Sequence, residues 1–175
     1  MSDSIVHPQI GRDVYIAPTA YVGGDVRIGD GCTIMHQVVI RGDVSPIAIG
    51  RRVNVQDAAI LHTRKGVPLE IGDEVSIGHR AVVHCRRVGA GSLIGIGAIV
   101  LDDAEIGSGC IVAAGAVVPP GTIIPDGKLV LGLPARIARD VQPADREYLS
   151  RVVSSYVELG RAHAAGRYPN AAAGY

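Results

Sequence analysis

The chain has 175 residues, with 17 basic and 17 acidic side chains and no net charge. That length suits one domain with a short appendage, and the charge balance gives no electrostatic reason to expect nucleic acid or an anionic membrane as partner. Apolar residues reach 47%, yet aromatics are only 3%, all of them Tyr, so the core must be thin layers of small aliphatic side chains rather than large rings.

The N-terminal stretch "MSDSIVHPQIG" has no basic and apolar leader pattern, so no signal peptide is expected. No apolar run approaches the ~18 residues of a membrane helix. The cysteines Cys32, Cys85 and Cys110 form an odd, scattered set. That argues against a disulfide framework and for a cytoplasmic protein.

From residue 10 onward, aliphatic residues recur every six positions: Ile10, Ile16, Val22, Ile28, Ile34 and Ile40. The series slips by three and resumes at Ile49, Val55 and Leu61. A four-residue insertion precedes Ile71, Ile77 and Val83. One short step then leads to Val88, Ile94, Val100, Ile106, Val112, Val118, Ile124 and Val130. This internal period excludes an amphipathic helix and a doubly wound α/β fold. A six-residue unit with Gly after the aliphatic fits a short strand and a tight turn. Three units close one triangular coil, and the twenty repeats make about seven coils stacked at the ~4.8 Å spacing of paired strands. Fold class is therefore all-β solenoid, a parallel β-helix over residues 1–140. Cys32 and Cys110 lie four places after a repeat aliphatic and are expected in the core.

Pro143 opens a helical segment, residues 141–166. Leu149, Val152, Val153 and Tyr156 share one helix face; this C-terminal helix should pack back along the solenoid. Residues 167–175 read as a poorly ordered tail.

Three of the six histidines fall between residues 62 and 85. Arg41, His62 and His84 each directly follow a repeat aliphatic on the same side of the prism, so they should form a column. Backbones one coil apart are ~5 Å apart, which suits two imidazoles on one Zn²⁺. His79 belongs to a different side, with Val55-Gln56-Asp57 beneath it. It is badly placed to join His62 and His84 in its own chain, and well placed to do so in a neighbour. The metal reading thus predicts a homotrimer with intersubunit sites. His36, two coils below His79, is a possible fourth polar neighbour. His7 and His163 read as solvated surface.

The stretches "IRGDVSPIAIGRRVNVQDAAILH", "VSIGHRAVVHCRRVGAGSLIGIGAIVLDDAEIG" and "GLPARIAR" resemble the γ-class carbonic anhydrase family over residues 10 to 160. The resemblance implies a left-handed β-helix and a homotrimer. It implies three histidine ligands for zinc, iron or cobalt, matching His62 and His84 of one chain and His79 of the next. By the same likeness Arg41, Asp43 and Asp57 are the ion network bridging subunits. Gln56 hydrogen-bonds the metal-bound water, Asn54 is the nearby amide, and Tyr156 is the phenol that many relatives place near the metal. The activity implied is reversible hydration of CO₂ to bicarbonate by a zinc-bound hydroxide. The sequence departs from the family's best-known member at two places. Its acidic loop is replaced by the short basic "TRKGVPLE", and Val44 stands where a Glu follows R-G-D. No carboxylate proton shuttle is evident. Met35 replaces an aromatic, a packing change. The alternatives are an acyl-CoA thioesterase using the same metal, a CoA-dependent hexapeptide acyltransferase, and a non-enzymatic metal-binding trimer.

Overall fold

The computed structural model describes residues 5–171. The six-residue period becomes a run of two-residue strands wound into a parallel β-helix. Its three inward columns contain all twenty repeat aliphatics. The first stacks Ile10, Ile28, Ile49, Ile71, Val88, Ile106 and Ile124. The second stacks Ile16, Ile34, Val55, Ile77, Ile94, Val112 and Val130. The third stacks Val22, Ile40, Leu61, Val83, Val100 and Val118. Each inward side chain packs on near-copies of itself, and most of the column is fully buried. The first coil lies at the open end of the stack, so Ile10 stays exposed and Ile16 and Val22 half-buried.

The slip in the period has a structural cause. The chain crosses one corner as continuous strands, Tyr21–Ile28 and Val39–Ile49, with a bulge between Gly24 and Val26. At this corner the coils nearly touch: a Cβ on Gly42 would lie 2.4 Å from the Asp25 carbonyl oxygen. Only glycine fits at the centre of Arg41-Gly42-Asp43, and the close approach fixes its two charged neighbours beside the histidine column.

The last rung, Lys128–Gly132, carries Val130 into the second column and also pairs antiparallel with Ala135–Asp140. This hairpin was not anticipated, and it covers one edge that the final coil would otherwise leave unpaired. The helix α1 follows, Pro143–Ala164. Its start is secured by the Asp145 carboxylate, which accepts from the Gln142 backbone N–H at 2.8 Å and from Arg139 at 2.6 Å. Arg139 and that N–H together hold the Asp145 carboxyl down to about 2.

The helix runs down one face from the last coils to the first. Leu149 packs with Val141 and Ile111, flanked by Leu93 and Leu129. Further along, the helix contacts strands Ser76–Ile77, Asn54–Val55, Thr33–Ile34 and Tyr15–Ile16. Leu149, Val153 and Gly160 are buried, while Val152 and Tyr156 are half-buried. The described part of the tail, residues 167–171, is exposed. The Arg167 N–H donates to the Ala162 carbonyl, and the Tyr168 ring lies tilted against His163, centroids 5.1 Å apart. Residues 172–175 lie outside the described residues. No helix among the described residues is long and apolar enough to cross a membrane.

Cys32, Cys85 and Cys110 are buried and unpaired. Burial pushes the Cys32 thiol up to about 11 and Cys85 to about 12. They are inert core groups.

Candidate metal centre

Strands Ile60–Leu61 and Val82–Val83 pair in register, so the residues that follow them, His62 and His84, stand one above the other. His62 Nδ1 is 3.3 Å from His84 Nε2, with ring centroids 5.3 Å apart. Two Zn–N bonds of ~2.0–2.1 Å at a tetrahedral angle span ~3.3–3.4 Å, so the pair fits two adjacent corners of such a centre. His84 Nδ1 lies 2.5 Å from an Asp102 carboxylate oxygen. A carboxylate only accepts, so Nδ1 carries a proton, and in the neutral ring Nε2 then holds the lone pair that faces His62.

On the far side of His62, Nε2 meets Asp43 and Arg41, each at 3.1 Å, and Arg41 also donates to Asp43 at 3.0 Å. Burial opposes ionisation of Asp43. The hydrogen bond to His62 and the charge of Arg41 outweigh it and keep the carboxyl below its ordinary value.

His79 stands apart, on the turn after Ser76–Ile77. Its Nδ1 is 3.0 Å from an Asp57 oxygen. Its Nε2 lies 3.4 Å from the hydroxyl of Tyr156, a long contact that joins α1 to the turn. Burial, helped by the charge of Asp57, raises the Tyr156 phenol above its usual range, so it stays a neutral donor. Each of the three histidines therefore has its own carboxylate: Asp43, Asp57 and Asp102. Among the described residues, no three His, Cys, Asp or Glu side chains gather as a metal cluster within one chain. Within the chain Arg41 and Asp43 form one network with His62, while Asp57 belongs to His79.

Gln56 and Asn54 are buried at the same vertex. Gln56 Nε2 donates to Asn54 Oδ1 at 3.0 Å, and Asn54 Nδ2 donates to Ser76 Oγ at 2.7 Å. The chain orients the Gln56 amide so that Oε1 remains its free acceptor. Ser76 was missed in the sequence, as was Thr33, whose hydroxyl donates to the Tyr156 carbonyl at 2.8 Å and anchors the helix beneath it.

The short basic loop is pinned at its base. The Thr63 hydroxyl donates to the Ser45 carbonyl and accepts the Ser45 N–H, both at 3.0 Å. The Gly66 N–H donates to Ser45 Oγ at 2.9 Å, and Arg64 pairs with Asp103.

Two other histidines meet at the foot of the helix. His36 does not join Asp57 and His79. It bonds Thr19 Oγ1 at 3.0 Å and meets His163 edge-on. His163 is not simple solvated surface either: it stacks on Tyr15 at 5.2 Å and contacts Tyr168. These rings line a cavity of about 600 Å³ that includes none of His62, His79 and His84. His7 is exposed, as expected.

Fold and site define a hexapeptide-repeat β-helix protein with paired histidines on its flank. The family described as "Bacterial transferase hexapeptide (six repeats)" matches residues 7–42 and 87–120. A carbonic anhydrase from Geobacillus kaustophilus is 49% identical over 154 residues, 88% of this chain and 85% of that one. The mitochondrial gamma carbonic anhydrase 2 of Arabidopsis thaliana is 37% identical over 163 residues, 90% of this chain and 59% of that one. Among solved structures, a Bacillus cereus protein described as a putative acetyltransferase superposes with a TM-score of 0.87 at 41% identity, over 89% of this chain and 91% of that one. The chain belongs to the γ-class carbonic anhydrase-like family.

Proposed function

We propose that the protein is a metal-dependent carbonic anhydrase that hydrates CO₂ reversibly to bicarbonate at sites shared between the subunits of a homotrimer. His62 and His84 of one protomer and His79 of its neighbour would hold the ion. The observation that carries this reading is the 3.3 Å separation of His62 Nδ1 and His84 Nε2, the span of two ligands on one tetrahedral ion. Three neutral nitrogens suit Zn²⁺, and Fe²⁺ or Co²⁺ nearly as well. When bound, the ion supplies Lewis acidity that makes water a nucleophile near neutral pH.

The chain's own residues supply the rest. Asp102 and Asp57 hold the Nδ1 atoms of His84 and His79, which leaves both Nε2 atoms as donors to the ion. Gln56, its NH₂ group committed to Asn54, offers Oε1 to accept a hydrogen bond from the attacking water and orient it. The neutral Tyr156 hydroxyl sits at His79 Nε2, at the rim where CO₂ would enter. Arg41 and Asp43 brace His62 and supply charge for the contact with the next subunit. Unpaired, buried cysteines support a cytoplasmic setting.

A second reading, hydrolysis of acyl-thioesters at the same ion, is favoured by the short loop, which is held down by Ser45 and Asp103 and leaves room for a larger carbonyl. Stopped-flow CO₂ hydration and thioester hydrolysis by zinc-reconstituted protein, with His84→Ala as control, decide between them. Hydration lost in His84→Ala supports the first reading. Wild type and variant equally inactive toward CO₂ reject it, and thioester turnover alone selects the second.

A further inference from the structure

Asp102 lies in the stretch "GAIVLDDAEIG", where the family resemblance implies no role for it. It enters from the coil above: Val82–Val83 pairs in register with Ile99–Val100, and the His84 N–H donates to the Val100 carbonyl at 2.9 Å. Two residues past Val100 the chain turns tightly, the Ala104 N–H closing onto the Leu101 carbonyl at 3.2 Å. The turn carries two adjacent carboxylates that are used differently. Asp103, at φ 57, faces Arg64 at 2.9 Å and Arg86 at 3.5 Å. Asp102 faces His84, its one hydrogen-bonding side-chain partner among the described residues. The cations that would compete for Asp102 are thus occupied by its neighbour.

We propose that Asp102 is a positioning residue for the metal centre. Its carboxylate keeps the proton of neutral His84 on Nδ1 and locks the ring plane, so that the Nε2 lone pair is presented 3.3 Å from His62 Nδ1. This rests on the metal-centre reading above. It extends to a residue one coil away the rule that a ligating imidazole donates its other N–H to an outer carboxylate. Without that acceptor the ring is free to rotate and to place its proton on Nε2, the nitrogen the ion needs.

The test titrates metal-free protein with Zn²⁺ against a chromophoric chelator, for wild type, Asp102→Ala, Asp102→Asn and His84→Ala. Light scattering and thermal melting of each variant check that the assembly is retained. The expected result is loss of the site in His84→Ala and affinity ~10–100-fold weaker in Asp102→Ala. Asp102→Asn keeps one acceptor oxygen and should fall between. A second readout is ¹⁵N-histidine NMR of the metal-free proteins, above the pH range where imidazole protonates. Wild-type His84 should appear as the Nδ1–H tautomer and Asp102→Ala should not. Wild-type affinity and tautomer in Asp102→Ala, with binding still lost in His84→Ala, overturn the role of Asp102 and leave the metal centre standing. Failure of wild type itself to bind Zn²⁺ overturns both.

Discussion

Replacing Gly160 with Ala should destabilise the protein, against the usual sign for a glycine in a helix. In an exposed helix interior this change gains ~1 kcal/mol. At Gly160, however, a new Cβ would stand 2.5 Å from Thr33 Oγ1, 3.1 Å from its Cγ2 and 3.3 Å from its Cβ. Thr33 is buried and cannot swing aside without breaking its 2.8 Å hydrogen bond to the Tyr156 carbonyl. Overpacking costs ~1–3 kcal/mol, and the lost hydrogen bond ~1 kcal/mol. Against the propensity gain, the net loss is about 1–3 kcal/mol. Urea unfolding followed by circular dichroism, at fixed protomer concentration, measures it. Thr33→Ala combined with Gly160→Ala removes the clash and should recover at least half of the loss, a favourable coupling between two touching residues. A Gly160→Ala protein more stable than wild type by about 1 kcal/mol refutes the seating of α1 on Thr33, and with it the placement of Tyr156 over His79.

Asn54→Ala should cost about 1–3 kcal/mol in the same assay, because it strands Ser76 Oγ and Gln56 Nε2, both inside the structure; an unchanged urea midpoint contradicts the buried polar chain. Asp145 is held at about 2 in the folded chain, below the ~3.9 of an unfolded Asp. A depressed carboxyl stabilises the fold above its unfolded value, and that contribution fades as pH falls from ~4 toward 2. Asp145→Asn should therefore flatten the acid limb of the stability profile in that window while lowering neutral-pH stability, as read by urea midpoints across pH; parallel profiles contradict it.

The coil register was legible because each inward position repeats one residue type. An Ile or Val every six residues leaves one way to stack, and the insertion before Ile71 and the short step to Val88 are absorbed at corners without disturbing it. The stacking of His62 on His84 followed from that register alone. Asp102, Ser76 and Thr33 were not legible for a related reason. The repeat tells which residues share a vertex, but whether an outward polar side chain reaches up, down or away is a matter of rotamer and turn shape. His163 was misread because the seat of α1 depends on the contact of Gly160 with Thr33, which no periodicity encodes. The hairpin after Val130 ends the repeat with an antiparallel return, and its pairing is carried by "GLPAR" rather than by any six-residue signal.

In the proposed function, one catalytic centre draws ligands from two chains. Subunit mixing is the test: His79→Ala and His84→Ala proteins, each expected to be inactive in the proposed homotrimer, are unfolded and reassembled together with zinc. A His79→Ala protomer still offers His62 and His84, and a neighbouring His84→Ala protomer still offers His79. Mixed trimers should regain bound zinc and CO₂ hydration that neither variant has alone. Mixed assemblies as empty and inactive as their parents, or a His79→Ala homotrimer that keeps its metal, would contradict it.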